Sequence, residues 1–537
     1  MRYSLPILLV GLLLGGCDAS SPEGRNDDRN EDESTSDLTV TAQWSETHQT
    51  IRGFGASDAW TVQSLGDWPA DKKNRMADLL FSQETDANEA PEGIGLSIWR
   101  FNIGAGSAEQ GQASGIDNSQ RRVEGFLETI RDDGTLVFDW SKQREERRFL
   151  QRAAERGVST VVGFANSPPV EMTENGKAFG DGSGTSNLAD DHYDDYAQFL
   201  AAVADHFRTE EVPFDYVSPV NEPQWNWDGR QEGSPYTNDE IRRLVEELSE
   251  VFSNRGLAAQ VEVPEAGAID FLYAGSTGRP QRDDQIAYFF GEHSLQERPN
   301  VAAKAVGHSY WTTWPVSELL NKRQSLADEV AAVDSSLEYW QTEWLPLEDN
   351  SDSGGIQGPG RDLGMEPALY MARVIHVDLT VANASSWQWW RGATGGDYKD
   401  GLVYLNRGSQ EVLDSKLLWG LGNYSRFLRP GAVRVGVGRS DDATLEQRLE
   451  RGVLASAYRG RDGDRVIVVA VNQGNTETTL QLKTQDTPVP VQTWQPYVTR
   501  ESSVPGLDRD LEPVSEVEPG GVFTLPPRSI VTFVGSW

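Results

Sequence analysis

The feature that most constrains this 537-residue chain is an alternation of short apolar runs with longer amphipathic ones, sustained from about residue 38 to residue 426. Eight runs read as strands: Ile51–Ala56, Leu96–Ile103, Thr160–Ala165, Tyr216–Val220, Val261–Pro264, Ala305–Tyr310, Leu337–Thr342 and Ser385–Trp390. Most are followed by loops rich in Gly, Pro and Asn and then by helical patterns such as Ser141–Arg156, Tyr193–Phe207, Asn238–Asn254 and Glu366–Val381. Strands alternating with helices make βαβ units and a parallel sheet, because a parallel neighbour needs a long crossover. Eight such units fit a (β/α)8 TIM barrel, an α/β fold. The alternative is an open doubly wound sheet, but no glycine fingerprint opens an early helix to support it.

The segment exceeds a minimal barrel, and the excess falls after strands two, three and seven, in 104–124, 167–191 and 344–364. Loops at that end of a barrel strand build the C-terminal face, where barrel enzymes carry their sites. After Pro430 the pattern changes to short alternating strands separated by turns, in Val453–Tyr458, Arg465–Asn472, Thr478–Lys483, Val491–Trp494 and Ser529–Val534. Residues 427–537 therefore read as an attached antiparallel β-sandwich, with the early strand Thr39–Trp44 (in 38–50) as a candidate to join it.

The first 37 residues read differently. Arg2, the apolar run Leu8–Leu14, and Gly15-Gly16 before Cys17 have the plan of a bacterial signal peptide, too short to span a bilayer as a mature helix. Leu14-Gly15-Gly16-Cys17 resembles a lipobox, which implies diacylation of Cys17, the one cysteine of the chain. A single cysteine excludes an intrachain disulfide and a thiolate metal cluster. Residues 18–37, acidic and nearly free of apolar side chains, read as a disordered tether. The expected location is the cell envelope, on the periplasmic side of a membrane or at the cell surface. Asp18 resembles an inner-membrane retention signal, whereas acidic tracts in other lineages accompany surface display.

Acidic residues outnumber basic ones 83 to 48, a net charge of −35. That field repels nucleic acid and anionic membranes, which sets both aside as partners and leaves the membrane reached only through the lipid. Seventeen tryptophans suit a carbohydrate ligand, since sugar faces stack on indole rings, although core packing accounts for about half of them. A monomer is expected.

Two carboxylates stand at strand ends. Asn221-Glu222-Pro223 closes the fourth strand, where Pro223 cannot continue the ladder, and Glu343 ends the seventh. A barrel brings strands four and seven to opposite sides of one mouth. Glycoside hydrolysis needs such a pair, one carboxyl to protonate the leaving oxygen and one to attack or to activate water. A lone Asn-Glu-Pro tripeptide could equally be a solvated loop or a helix N-cap; the second strand-terminal glutamate is what strengthens it. The six histidines include no His-x-x-x-His pair and no Gly-x-Ser-x-Gly elbow occurs, so neither a zinc site nor a serine hydrolase is indicated.

The ordered motifs are recognisable. Residues 51–57 (IRGFGAS), 95–106 (GLSIWRFNIGAG), 165–169 (ANSPP), 219–225 (PVNEPQW), 308–311 (HSYW), 341–344 (QTEW) and 398–404 (YKDGLVY) resemble glycoside hydrolase family 30, in its endo-β-1,6-galactanase-like bacterial branch. Residues 525–533 (LPPRSIVTF) resemble the closing strand of that family's side sandwich. The resemblance implies a (β/α)8 barrel, double displacement with net retention, Glu222 as acid/base, Glu343 as nucleophile, a polysaccharide or oligosaccharide substrate and no metal or organic cofactor. It implies that Asn221 bonds the sugar 2-hydroxyl, with a turn-forming Asn as the alternative. His308 and Tyr310 either steady the nucleophile and contact substrate or simply pack. Arg100 and Asn102 either polarise the site or, for Arg100, form a buried ion pair. Trp225 and Trp311 are candidate sugar contacts. Trp387 and Trp389, which share a face by alternation, offer a stacking platform or pack between barrel and helices. Xylan or another β-glycan is the alternative substrate, and a non-catalytic glycan-binding lipoprotein the alternative class.

Overall fold

The computed structural model describes residues 37–537 apart from 274, 276–277, 348–355 and 505; the expected signal peptide, Cys17 and nearly all of the acidic tether lie outside the described residues. Eight parallel strands follow one another around a closed sheet: β1 (Gly53–Ser57), β2 (Ile98–Asn102), β3 (Thr160–Phe164), β4 (Tyr216–Ser218), β5 (Gln260–Ala266), β6 (Val301–His308), β7 (Glu338–Glu343) and β8 (Ser386–Thr394). Pairing of Trp340 with Ser386 and Gln341 with Trp387 joins β7 to β8, and β8 pairs with β1, so the sheet closes. The chain is thus a TIM barrel. A two-strand extension, Gly401–Asn406 and Glu411–Leu413, continues the sheet outward from β8.

Around the barrel run α1 (Ala70–Phe81), α2 (Arg144–Glu155), α3 (Tyr193–Thr209), α4 (Asn238–Arg255), α5 (Val316–Val333), α6 (Met365–Thr380) and α7 (Lys416–Ser425). Local chemistry fixes their ends. In α4 the Thr237 side chain and Glu240 form a reciprocal capping box, and Gly256 in the left-handed region closes the other end. Between β5 and β6 the described residues of the crossover carry a short π-helical turn, Ala287–Glu292, flanked by 3-10 turns at Ile269–Phe271 and Leu295–Glu297.

Inside the barrel, Ile98, Val162, Val306 and Trp340 pack into a floor cluster, and below the mouth Lys304 Nζ pairs with Glu262 at 2.6 Å. The alternate residues of β2, Trp99 and Phe101, face the helices, where Trp99 packs against Phe81 and Phe149.

The second sheet has nine strands and contains Leu38–Thr50, which pairs antiparallel with Val433–Arg439 and parallel with Thr478–Gln485. The sandwich is therefore antiparallel except at that one ladder, and both ends of the described chain meet in it. Its outer core is Val40, Val468, Trp494, Phe533 and neighbours. Against the barrel, Asn423 of α7 donates to Thr499 Oγ1 at 2.6 Å and accepts from Thr532 Oγ1 through its carbonyl at 2.6 Å.

Two expectations are corrected. The β4 ladder ends at Ser218, because Pro219 has no N–H to donate; Pro223 is not what stops it. β6 ends at His308, leaving Tyr310 beyond the strand.

Candidate active site

Strand geometry alone does not aim the central carboxylates. In β7, Trp340 and Thr342 face the barrel interior, so alternation would turn Glu343 outward. The β6–β7 register shifts between Gln341 and Glu343, which opposes Glu343 to His308 and swings its side chain into the mouth. In β5 a second shift lies between Pro264 and Ala266, and Glu265 there has φ +52°. Glu222 stands on a loop beyond β4 with φ +47°, fixed by its N–H donating to the Glu265 carbonyl at 2.9 Å. Left-handed φ in three glutamate- or tryptophan-type positions around one mouth (Glu222, Glu265, Trp311) is backbone strain gathered at a site.

The result is one buried network. Arg100, fully buried in β2, donates to Glu343 Oε2 at 2.8 Å and to Glu265 Oε1 at 3.1 Å, and reaches Asn221 Oδ1 at 3.5 Å. Tyr310 donates its hydroxyl to Glu343 Oε1 at 2.9 Å. His308 Nδ1 lies 2.9 Å from Glu222 Oε1, and its Nε2 lies 2.9 Å from Glu265 Oε2. Thr342 Oγ1 and Ser218 Oγ donate to Glu265 at 2.7 and 2.9 Å. One oxygen of Glu222, one of Glu343 and a ring nitrogen of His308 all lie within 4.8 Å of one another.

Charges follow from that wiring. Burial, with the Glu343 and Glu265 carboxylates beside it, pushes the Glu222 carboxyl above its ordinary range against the lowering bond to His308. Burial opposes ionisation of Glu265 too, but Arg100, His308 and Thr342 outweigh it and hold this carboxyl well below the usual range. Burial would discharge His308; the Glu343 charge and the bonds to Glu222 and Glu265 overcome it and raise the imidazole to about 10. Burial and Glu343 push the Tyr310 hydroxyl well up, so it remains a donor. Glu222, His308 and Glu343 are spaced closely enough for a cation, yet both His308 ring nitrogens are engaged by Glu222 and Glu265 and Arg100 already pairs with Glu343.

The other expected residues separate. Arg100, Asn221, His308 and Tyr310 join the network. Asn102 does not touch the carboxylates: its Oδ1 accepts from Asn166 Nδ2 at 3.1 Å. Trp225 and Trp311 meet edge to face at 5.1 Å, and Trp311 is 36% exposed, so this pair offers an open aromatic edge. Trp387 and Trp389 are fully buried. Trp387 Nε1 donates to Asp378 of α6 at 2.8 Å and Trp389 Nε1 to the Asp400 carbonyl at 2.7 Å, which excludes a stacking platform. Glu265 was not anticipated. Its signal was a glutamate at the end of a strand whose expected span stopped one residue short, at Pro264.

Paired carboxylates across the mouth of an eight-stranded barrel are the working groups of glycoside hydrolases. Residues 37–404 match O-Glycosyl hydrolase family 30, and residues 431–533 match the Glycosyl hydrolase family 30 beta sandwich domain. The chain belongs to glycoside hydrolase family 30 and is a glycan-hydrolysing enzyme. A conserved exported protein from Bacteroides fragilis has a crystal structure similar to it, at 32% identity and a TM-score of 0.82 over 92% of this chain and 100% of that one. An endo-beta-1,6-galactanase of Hypocrea rufa is 27% identical over 49% of this chain, and the matched part spans 56% of that relative's length. Glucuronoxylanase XynC of Bacillus subtilis is 27% identical over 74% of this chain and 77% of its own length.

Proposed function

We propose that the enzyme is an endo-acting, retaining β-glycosidase that cleaves β-1,6-linked galactan by double displacement, with Glu222 as acid/base and Glu343 as nucleophile. The observation that carries the mechanism is the closeness of the two carboxylates. A retaining pair stands about 5–5.5 Å apart, whereas an inverting pair needs about 6.5–9.5 Å to admit a water between carboxylate and sugar. One oxygen of Glu222 within 4.8 Å of one oxygen of Glu343 supports the closer, retaining spacing.

In the first step a Glu343 oxygen attacks the anomeric carbon, the glycosidic C–O bond breaks, and the Glu222 proton passes to the leaving oxygen. Water then enters, Glu222 takes one of its protons, and the hydroxyl displaces Glu343 from the sugar. Arg100 and Tyr310 bind opposite oxygens of Glu343, so the attacking face is held in one orientation. Asn221 stands beside the pair where a 2-hydroxyl would lie. Trp225 and Trp311, on the Glu222 side, receive the leaving part of the chain.

The galactan assignment is supported by the Hypocrea rufa relative, and xylan is the second reading because of the longer match to the glucuronoxylanase. A non-catalytic binding protein is disfavoured, since both carboxylates and their partners are in place. Diacylation of Cys17 would place the enzyme at the cell envelope, a proposal that membrane fractionation tests. Incubation with β-1,6-galactan, xylan and β-1,6-glucan, followed by product analysis, tests the substrate; binding without new reducing ends would refute the enzymatic reading. Glu343→Ala should abolish turnover, and Glu222→Ala should retain glycosylation by substrates with good leaving groups. Full activity in Glu343→Ala would overturn the roles.

A further inference from the structure

We infer that Glu265 is a positioning residue that makes Glu222 and His308 a single proton-holding pair, with His308 keeping the acid/base charged with its proton between turnovers. This rests on Glu222 as acid/base and adds a group that touches no substrate. Glu265 is fully buried, and its bonds to Arg100, Thr342, Ser218 and His308 use both of its oxygens.

Between Glu222 Oε1 and His308 Nδ1, 2.9 Å apart, there is room for one proton. It sits either on the carboxyl, with a neutral ring, or on the ring, with a carboxylate. In both forms the other ring nitrogen, Nε2, keeps its hydrogen and donates it to Glu265. Moving the proton changes neither the atom count nor the total charge, so the pair takes up and releases protons as a unit.

The groups that face His308 set how tightly the proton is held. Glu222 and Glu265 touch the ring, Glu343 Oε1 is 3.8 Å away, the Tyr310 ring is 5.8 Å away edge to face, and Arg100 lies behind Glu265 and Glu343. Glu343 loses its charge when it becomes an ester with the sugar, and Glu222 loses its proton to the leaving group. Glu265 alone of the three carboxylates remains ionised throughout, pinned by Arg100 and two hydroxyls. It therefore supplies constant attraction for the ring's positive charge while the other two change. When Glu222 gives its proton to the leaving oxygen, none is left between the pair, the ring is neutral and Glu222 is a carboxylate; in the second step Glu222 takes a proton from the attacking water, which restores the pair.

The test is the pH profile of kcat/KM. Glu265→Gln removes the fixed charge and keeps the shape, so the pair should release its proton more readily. The basic limb should move down by about one to three pH units, and Glu265→Asp should restore most of the shift. A loss of rate with an unmoved limb would mean a merely structural role and would overturn the inference. A second readout leaves Glu265 intact: in the wild-type enzyme labelled with 15N-histidine, the His308 ring, assigned by its disappearance in His308→Asn, should carry a hydrogen on Nε2 across the active pH range. A bare Nε2 would equally overturn the inference. Leaving-group dependence in Glu222→Ala reports separately on the acid/base role. If that dependence holds while the limb stays fixed, only the role of Glu265 fails; if it is absent, the parent assignment fails.

Discussion

Replacing Tyr310 by Phe removes one hydroxyl whose sole charged partner is Glu343 Oε1, 2.9 Å away, and leaves the ring in its contact with Trp311. A hydrogen bond to a charged group contributes about 1.5–3 kcal/mol, or roughly ten- to 150-fold in a rate that depends on it. The direction follows from when the bond is strongest. It favours Glu343 as a carboxylate, the form that must re-emerge when water displaces it from the sugar, and it favours the esterified oxygen less. The loss should therefore fall on the second step, so that the glycosyl-enzyme accumulates. Stopped-flow mixing of Tyr310→Phe with an activated aryl glycoside should show about one equivalent of aglycone released rapidly, then a steady rate about ten- to 100-fold below wild type, with KM lowered. A slow steady rate with no burst and an unchanged KM would refute the reasoning, because the bond would then matter only for building the site.

Three further outcomes are expected. Trp387→Phe deletes the donor to Asp378 and should lower the stability of the barrel by about 2 kcal/mol, read as a denaturation midpoint, without raising KM; the opposite pattern would restore Trp387 as a sugar contact. Trp311→Ala should raise KM for polymer several-fold and leave a small aryl glycoside little affected, and equal effects on both would remove Trp311 from the leaving-group side. Glu232 is fully buried, accepts from Ala105 N, Ser107 N and Ser107 Oγ, and burial raises its carboxyl to about 7. Because its folded-state pKa lies above the unfolded value, its contribution is complete below about pH 4.3 and is lost as pH rises toward 7. Wild type should therefore lose more melting temperature between pH 5 and pH 8 than Glu232→Gln, and parallel slopes would count against this.

Short apolar runs and the helix patterns between them located all eight barrel strands, because each strand must bury both faces and each crossover must cover the sheet. Alternation correctly put Trp387 and Trp389 on one face, but it fixes parity and not direction, and the face is the one beneath α6. The same limit hid Glu265. A strand reading that stops at a proline cannot foresee that β5 runs on to Ala266 through a register shift, with a left-handed residue turning a carboxylate inward. Glu343 was legible as a strand end, yet the bulge that aims it belongs to the pairing of β6 with β7 and not to either segment alone. His308 was visible as a histidine at the mouth; that it bridges two carboxylates is a fact of three strands meeting.

The central claim is that Glu222 and Glu343 work as a retaining pair. The most direct measurement is the anomeric configuration of the first product, followed by proton NMR from the moment enzyme meets a β-linked oligosaccharide and before mutarotation intervenes. The β-anomer should appear first, with the α-anomer growing in only at the rate of spontaneous mutarotation. An initial α-anomer would mean inversion, and the reading of two carboxylates with facing oxygens within 4.8 Å as nucleophile and acid/base would be wrong.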